Sequence, residues 1–240
     1  MDLPPVVSPE EWLAARKRLL AEEKELTRQQ DAVSAKRREL PMIKIEKDYV
    51  FQGANGKASL LDLFEGRRQL IVYHMMWRPD LDAGCPSCSI LIDGIGHPAH
   101  LNAANTTLAI VSRVEWDSLR RYFERMGWAL PFYSSEGSDF NYDFHATLDE
   151  AVAPVEYNFR TKLELIQLGQ EWMTSGDMPG TSVFLREGED VFHTYSSYAR
   201  GGDIQITTHN YLDLTPLGRQ VHVGQAKHHD KYPAAATDTA

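Results

Sequence analysis

The sequence predicts a mixed α/β sandwich preceded by a helical arm. Three observations predict it. An unbroken stretch from Ser8 to Leu40 carries helix signals, two apolar runs of strand length are separated by helical periodicity, and a hairpin signature follows. Strand–helix–strand–helix–strand and then a hairpin is the order that packs helices on a mixed sheet. The 240 residues suit one domain with additions, and no apolar run approaches the roughly 18 residues of a membrane span.

The arm comes first. Ser8-Pro9-Glu10-Glu11 supplies an N-cap serine, a proline for the first helical position and a capping-box glutamate. No glycine or proline interrupts the chain before Pro41. Trp12, Leu19, Leu26, Val33 and Leu40 recur every seven residues, with Leu13 and Leu20 beside two of them. The partner row is mostly Ala15, Glu22, Gln29 and Lys36, whereas a coiled coil wants both rows apolar. The expectation is an arm, residues 1–40, laid against the main domain or a second copy, with a homodimer as the partner it implies.

The domain is expected over residues 41–222. Tyr49-Val50-Phe51 reads as a strand, Gly53 to Gly56 as a turn, and Ser59 to Phe64 as a helical turn ended by Gly66. Leu70 to Met76 and Thr107 to Val111 are continuous apolar runs, the pattern of buried central strands. Ser112-Arg113-Val114-Glu115 reads as a capping box opening a helix with Trp116, Leu119, Tyr122, Phe123 and Met126 on one face and Gly127 after it. Leu130 to Tyr133 is a third strand, and Ser182–Leu185 with Val191–Tyr195 the hairpin. Residues 145–178 form an excursion without clear pattern, and 223–240 read as a flexible tail.

Lys and Arg number 25 against 34 Asp and Glu, a net charge of −9. A field of that sign argues against nucleic-acid and anionic-membrane partners. Between Glu10 and Leu40, 8 basic residues face 7 acidic ones, so the negative charge belongs to the rest of the chain. The Met1-to-Pro5 start has neither a basic stretch nor an apolar core, so the expected location is the cytoplasm. There, two close cysteines point to redox chemistry or metal rather than to a disulfide scaffold.

Cys85-Pro86-Ser87-Cys88 carries that chemistry. With Cys85 at the N-cap and Pro86 at the first helical position, the Cys85 sulfur faces unpaired amides and the positive end of a helix, which stabilises thiolate. Cys88, one turn on, is placed to resolve a mixed disulfide. Cys85 and Cys88 are therefore the expected catalytic pair of a thiol–disulfide oxidoreductase acting on a protein or small-molecule disulfide, with no cofactor and no metal. A redox-silent interaction protein is the alternative. A zinc site from Cys85, Cys88, His97 and His100 is the weaker one, because a continuous helix would hold the two pairs about 13 Å apart.

The layout resembles the thioredoxin superfamily, and within it the peroxiredoxin-like branch. Phe51 to Leu60 resembles that branch's entry hairpin, and Leu70 to Met76 its central strand. Three segments resemble a bacterial thioredoxin-like family known as domain of unknown function 899: Gly84 to Cys88, Gly137 to Phe144, and Val191 to Gly201. The resemblance covers most of the chain and implies a thioredoxin-like three-layer sandwich with a mixed central sheet.

It also implies a partner-binding loop opposite the cysteines, which falls on Pro179, Gly180 and Thr181 and would pair with an extended peptide. Trp77 stands as the aromatic flank of the site, since Gly84 occupies the position before the first cysteine where thioredoxins carry tryptophan. Aligning the hairpin puts Gly180, not Pro179, at the cis-proline position. Counting back from Cys85 puts Asp82 and Arg78 where peroxiredoxins carry threonine and proline, which removes the main support for a peroxidase. His193, on the hairpin, would relay protons if that strand edges the site, whereas His74 reads as a core histidine.

Overall fold

Ser8 opens α1 (Pro9–Arg38) through both halves of the capping box: its hydroxyl accepts from the Glu11 N–H, and the Glu11 carboxylate accepts from the Ser8 N–H. Lys36, Arg37 and Arg38 sit in the last turn, where the helix dipole favours cations. The computed structural model describes residues 3–233. In it α1 buries none of its residues, and Trp12 remains 59% exposed. The apolar row is therefore not laid against the domain, which corrects one half of the expectation. The Arg37 guanidinium over the Tyr195 ring, 5.5 Å from its centroid, marks where the arm meets the body.

The body is built on β1 (Ile43–Lys44), β2 (Val50–Gly53), β3 (Gly56–Ser59), β4 (Gln69–His74), β5 (Trp77–Arg78) and β6 (Ala83–Gly84). Next come α2 (Pro86–Asp93), α3 (Ala99–Ala103), β7 (Thr106–Ser112), α4 (Trp116–Met126), β8 (Phe132–Ser134) and α5 (Phe140–Asp143). Then follow β9 (Thr147–Leu148), β10 (Glu156–Tyr157), β11 (Arg160–Thr161), α6 (Lys162–Gln167), β12 (Gly176–Asp177), β13 (Gly180–Glu187), β14 (Asp190–Tyr198) and α7 (Thr207–Leu212).

The eight-stranded sheet runs β1-β14-β13-β4-β7-β8-β2-β3. Its centre is parallel, β4 beside β7 and β7 beside β8, while β13 and β14 form an antiparallel hairpin against β4. A dithiol helix after the central strand and a hairpin on its far side make this a thioredoxin-like sheet. Its two faces hold separate cores. Tyr73, Met75, Cys85, Cys88, Ile110, Tyr122 and Phe123 pack on one, under α2 and α4. Leu70, Val72, Val111, Phe140, Phe144 and Phe184 pack on the other, under α5 and a single helical turn at Asp62–Phe64. Period-2 alternation along β4 sends neighbouring residues to opposite cores.

Four details differ from the sequence reading. Ser112 stays in β7, and α4 starts at Trp116, where the Glu115 carboxylate caps the N–H groups of Asp117 and Ser118. Phe140, Tyr142 and Phe144, whose spacing by two is that of a strand face, lie on a helical turn and at its C-cap. Phe140 and Phe144 are buried, while Tyr142 lies beneath the Arg113 guanidinium at 4.7 Å. Residues 145–178 fold into two short ladders and α6, and Leu148, Tyr157, Leu165, Met173 and Met178 form a third core against Tyr198.

The last detail is the stretch expected to be a flexible tail. Short turns at Val223–Gln225 and His229–Lys231 dock it on α2 and α4, and His228 is buried. Residues 234–240 of that tail lie outside the described residues. Arg125 only donates, so the 3.0 Å contact makes His228 Nδ1 an acceptor and leaves Nε2–H to donate to the Gly84 carbonyl at 2.8 Å. Side-chain anchors of this kind have no periodic signature.

Gly84, just before the dithiol, is fixed by packing. A Cβ there would meet the Tyr122 ring at 2.6 Å and the Met75 sulfur at 2.9 Å. Gly84→Ala is expected to destabilise the fold by roughly 1–3 kcal/mol, the usual range for overpacking. Denaturant titration checks this, and an unchanged midpoint would mean that the Tyr122 ring yields without loss.

Candidate functional site

After β4 the chain turns through the β5–β6 pair, with Trp77 opposite Gly84, and returns so that the Cys85 N–H donates to the Met76 carbonyl at 2.9 Å. This places Cys85 at the N-cap of α2, with Pro86 in the first turn, as the spacing requires. Ser89 locks the turn. Its N–H and hydroxyl both donate to the Cys85 carbonyl, at 3.0 and 2.9 Å, and its hydroxyl also meets the Tyr122 hydroxyl at 2.6 Å. Both cysteines are free thiols, Cys85 7% exposed and Cys88 1%.

The two sulfurs have opposite acidities. Cys85 is brought down from the ordinary thiol value of about 8.5 to about 6. The first cause is the Cys88 thiol hydrogen-bonding to it; the backbone N–H groups of Ser87 and Cys88 add to this, and together they outweigh burial. The neighbouring thiol thus exceeds the helix N-terminus, reversing the order expected from sequence. No side-chain cap bond closes at this N-terminus, so the amides act as partial charges. Cys88 is pushed well up by that same thiol–thiol bond and by its burial. The Tyr73 hydroxyl, a hydrogen-bond partner of Cys88, counters this in part.

A cavity of about 480 Å³ opens beside the pair. Cys88 and Ser87 form one wall, and Pro179, Gly180 and Thr181 another, so the structure brings the expected loop and Cys88 together. The loop's backbone is occupied, however. The Met178 N–H donates to Ala146 O at 2.9 Å, and Pro179 O accepts from the Tyr157 hydroxyl at 2.7 Å. Gly180 and Thr181 pair with β4 on one side and β14 on the other. The expected pairing with an extended peptide therefore has no free edge. The described residues contain no cis peptide bond, and Gly180, the first residue of β13, lies opposite His74.

Trp77 does not reach the cavity. It is 9% exposed and packs edge-on against Tyr122, with ring centroids 5.7 Å apart, so it supports the cysteine turn from within the core. His193 lies on the far side of the sheet, against Phe144 and Phe184. There it ends a chain of side chains: His74 Nε2 to Ser182 Oγ at 3.0 Å, Ser182 Oγ to Ser196 Oγ at 3.0 Å, and Ser196 Oγ to His193 Nε2 at 2.8 Å. Burial lowers His74 to about 3 and lowers His193 as well. His74 is a core histidine and His193 lies half-buried at the end of the same chain, so the proton relay expected of His193 is not at the thiols.

His97 and His100 are exposed on the chain after α2, and no group of three metal-ligating side chains occurs among the described residues. Asp82, counted to the peroxiredoxin threonine position, has a left-handed backbone at φ 43°, a conformation that β-branched residues avoid.

Sequence reasoning missed Tyr73 and the C-terminal segment. Tyr73 was discoverable, because alternation from Leu70 and Val72 puts it on the cysteine face. The C-terminal segment joins the site through the Ser87 hydroxyl, which donates to Val223 O at 2.9 Å. That hydrogen also supports the Cys85 sulfur, so the segment and the thiolate compete for one donor.

A model of the family described as bacterial protein of unknown function (DUF899) matches residues 1–232, and the chain belongs to that family. Among solved structures, a cysteine-to-serine mutant of Xanthomonas campestris peroxiredoxin Q is similar at TM-score 0.42 and 15% identity, covering 68% of this chain and 90% of that chain. A putative protein disulfide isomerase from Bacteroides thetaiotaomicron is similar at TM-score 0.39 and 14% identity, covering 71% and 91%. Peroxidoxin BcpB from Mycobacterium tuberculosis gives 0.39 and 13%, covering 70% and 95%. No curated protein matches the chain.

The acidities have a direct readout. The alkylation rate of Cys85 is expected to rise with pH to a midpoint near 6 and then level, because thiolate is the reacting form. Cys88→Ala, which removes the first cause, should move that midpoint toward about 8.5, while Cys88→Ser, which keeps a hydroxyl donor, should move it less. Equal midpoints in both variants would assign the acidity to the helix instead.

Proposed function

We propose that this member of the family is a thiol–disulfide oxidoreductase, with Cys85 as nucleophile and Cys88 as resolving thiol. The observation that carries the reading is the split acidity of two sulfurs one helical turn apart. Cys85 is mostly thiolate at neutral pH, while Cys88 keeps its proton. In the first step Cys85 thiolate attacks one sulfur of a disulfide, a Cys85–S–S–R bond forms, and the other half leaves as thiolate and takes a proton from water. Cys85 then no longer carries charge and no longer accepts from Cys88, so the hydrogen bond and the neighbouring charge that hold the Cys88 proton are removed and only burial still opposes its loss. Cys88 gives its proton to solvent and attacks the Cys85 sulfur, and the second half leaves as thiol. The protein loses two electrons and becomes the Cys85–Cys88 disulfide, the substrate gains two, and an external thiol restores the dithiol.

No described helix is long and apolar enough to cross a membrane. The reading places the reaction in the cytoplasm, whose reducing thiols supply that last step.

A second copy of this chain is the partner proposed for α1. Its row of Trp12, Leu19, Leu26 and Val33 is exposed, and its balanced charge lets two chains of net charge −9 meet there without like-charge repulsion. Light scattering should give the mass of two chains for the full-length protein and of one chain after deletion of residues 1–40; the same number of chains in both contradicts the pairing.

For the chemistry, reduced wild-type protein mixed with a small disulfide is expected to end as the intramolecular disulfide. Cys88→Ser should accumulate a mixed disulfide on Cys85, and Cys85→Ser should do neither, as mass spectrometry would show. A Cys88→Ser protein that traps nothing would leave the interaction-protein reading in its place.

A further inference from the structure

We infer that the cavity beside Cys88 takes a neutral, low-molecular-weight disulfide with aromatic or alkyl arms, and that this is the substrate class of the dithiol; the assignment rests on the oxidoreductase reading above. Four observations carry it. First, the volume of about 480 Å³ falls in the range of roughly 300–1,000 Å³ typical of small-ligand sites, and Cys88, the partner of the nucleophile, is part of its wall. Second, most of the remaining lining surface is apolar or aromatic, supplied by Tyr73, Leu91, Met173, Tyr198 and Ile206, with Trp172 on the rim, 66% exposed. Tyr73, Tyr198 and Ile206 are themselves buried, which makes this a formed hollow rather than a surface dip.

Third, the carboxylate at the cavity is already paired: Asp203 meets Arg200 at 3.2 Å and Arg219 at 3.4 Å. His222 accepts from the Gly224 N–H through Nδ1 at 3.1 Å. The chain's net charge of −9 further disfavours anionic disulfides. Fourth, the backbone from Met178 to Thr181, which would have to pair with an extended protein substrate, is already hydrogen-bonded within the fold. A folded or extended peptide thus finds no docking edge, whereas a small disulfide needs only the hollow.

Cys85 is 7% exposed and is not among the residues lining the cavity. Exchange therefore requires the Ser87–Cys88 turn, tied to the C-terminal segment by the Ser87-to-Val223 bond, to open first. The exchange is the one written above, with the substrate reduced to two thiols and the protein oxidised to its disulfide.

Gly202 provides a test that leaves the thiols alone. It lines the cavity, and a Cβ there meets nothing within 4 Å, so the position has room to begin a side chain and Gly202→Phe is chosen to narrow the hollow. Three probes separate the outcomes at mildly alkaline pH. These are 4,4′-dithiodipyridine as a neutral aromatic disulfide, 1,2-bis(4-pyridyl)ethane as its unreactive isostere, and hydroxyethyl disulfide as a small polar one. The isostere should bind reduced protein by calorimetry and slow its oxidation by dithiodipyridine. Gly202→Phe should slow dithiodipyridine by about tenfold, equivalent to ~1.4 kcal/mol, and leave hydroxyethyl disulfide within about twofold. Exchange without protection by the isostere, or Gly202→Phe slowing both disulfides alike or neither, overturns the substrate assignment alone. Binding of the isostere with no exchange from either disulfide overturns the oxidoreductase reading, and the substrate assignment with it.

Discussion

Cys85 must be charged while almost wholly covered, and much of the surrounding fold follows from that conflict. A buried ion is expensive unless hydrogen-bond donors reach it. Here the stabilisation comes first from the Cys88 thiol, then from the first amides of α2 acting as partial charges, with the Ser87 hydroxyl, shared with Val223 O, adding to it. Each depends on α2 beginning at Pro86, which the Cys85-to-Met76 backbone bond and the Ser89 contacts to Cys85 O secure. Gly84 has no side chain because the Tyr122 ring fills that space, and His228 reaches over to hold its carbonyl. The C-terminal segment is therefore part of the site, although no residue after 222 belongs to the sheet.

The sheet divides the polar chemistry into two compartments. On the cysteine face, Tyr73 partners Cys88 and the cavity opens toward solvent. On the other, His74 Nε2, Ser182, Ser196 and His193 form one chain of hydrogen bonds beside an aromatic core, with His74 stacked on Phe140 at 5.4 Å and its Nδ1 without a hydrogen-bond partner among the described residues. Buried polar groups that lack partners destabilise a fold, so the bond to Ser182 offsets part of the cost of holding His74 in the core. Neutral imidazoles one sheet thickness from the thiols contribute structure and not proton transfer.

Most of the fold was legible in the sequence, because periodicity reports burial directly. The runs at Leu70 and Thr107, the hairpin after Ser182 and the capping box at Ser8 all became elements close to where their patterns put them. The N-cap position of Cys85 was legible too, through Pro86. Less was legible where short-range chemistry competes. The Ser112 capping box lost to the pairing of β7, and Glu115 took over the cap. Alternation at Phe140, Tyr142 and Phe144 suited a strand, but burial at i and i+4 on a four-residue helix decided otherwise. The relative weights of thiol and helix on Cys85, the occupied backbone at Pro179 and the docking of His228 depend on three-dimensional proximity, for which no local pattern exists.

A stabilised Cys85 thiolate favours the dithiol over the disulfide, and so draws the reduction potential of the pair upward. The most direct measurement is therefore that potential, obtained by equilibrating the protein in defined thiol–disulfide buffers and quantifying the Cys85–Cys88 disulfide. One two-electron transition is expected between roughly −270 and −120 mV, the span of exchanging dithiols. A transition below about −300 mV, where structural disulfides lie, or the absence of any disulfide between these two cysteines, would contradict the account.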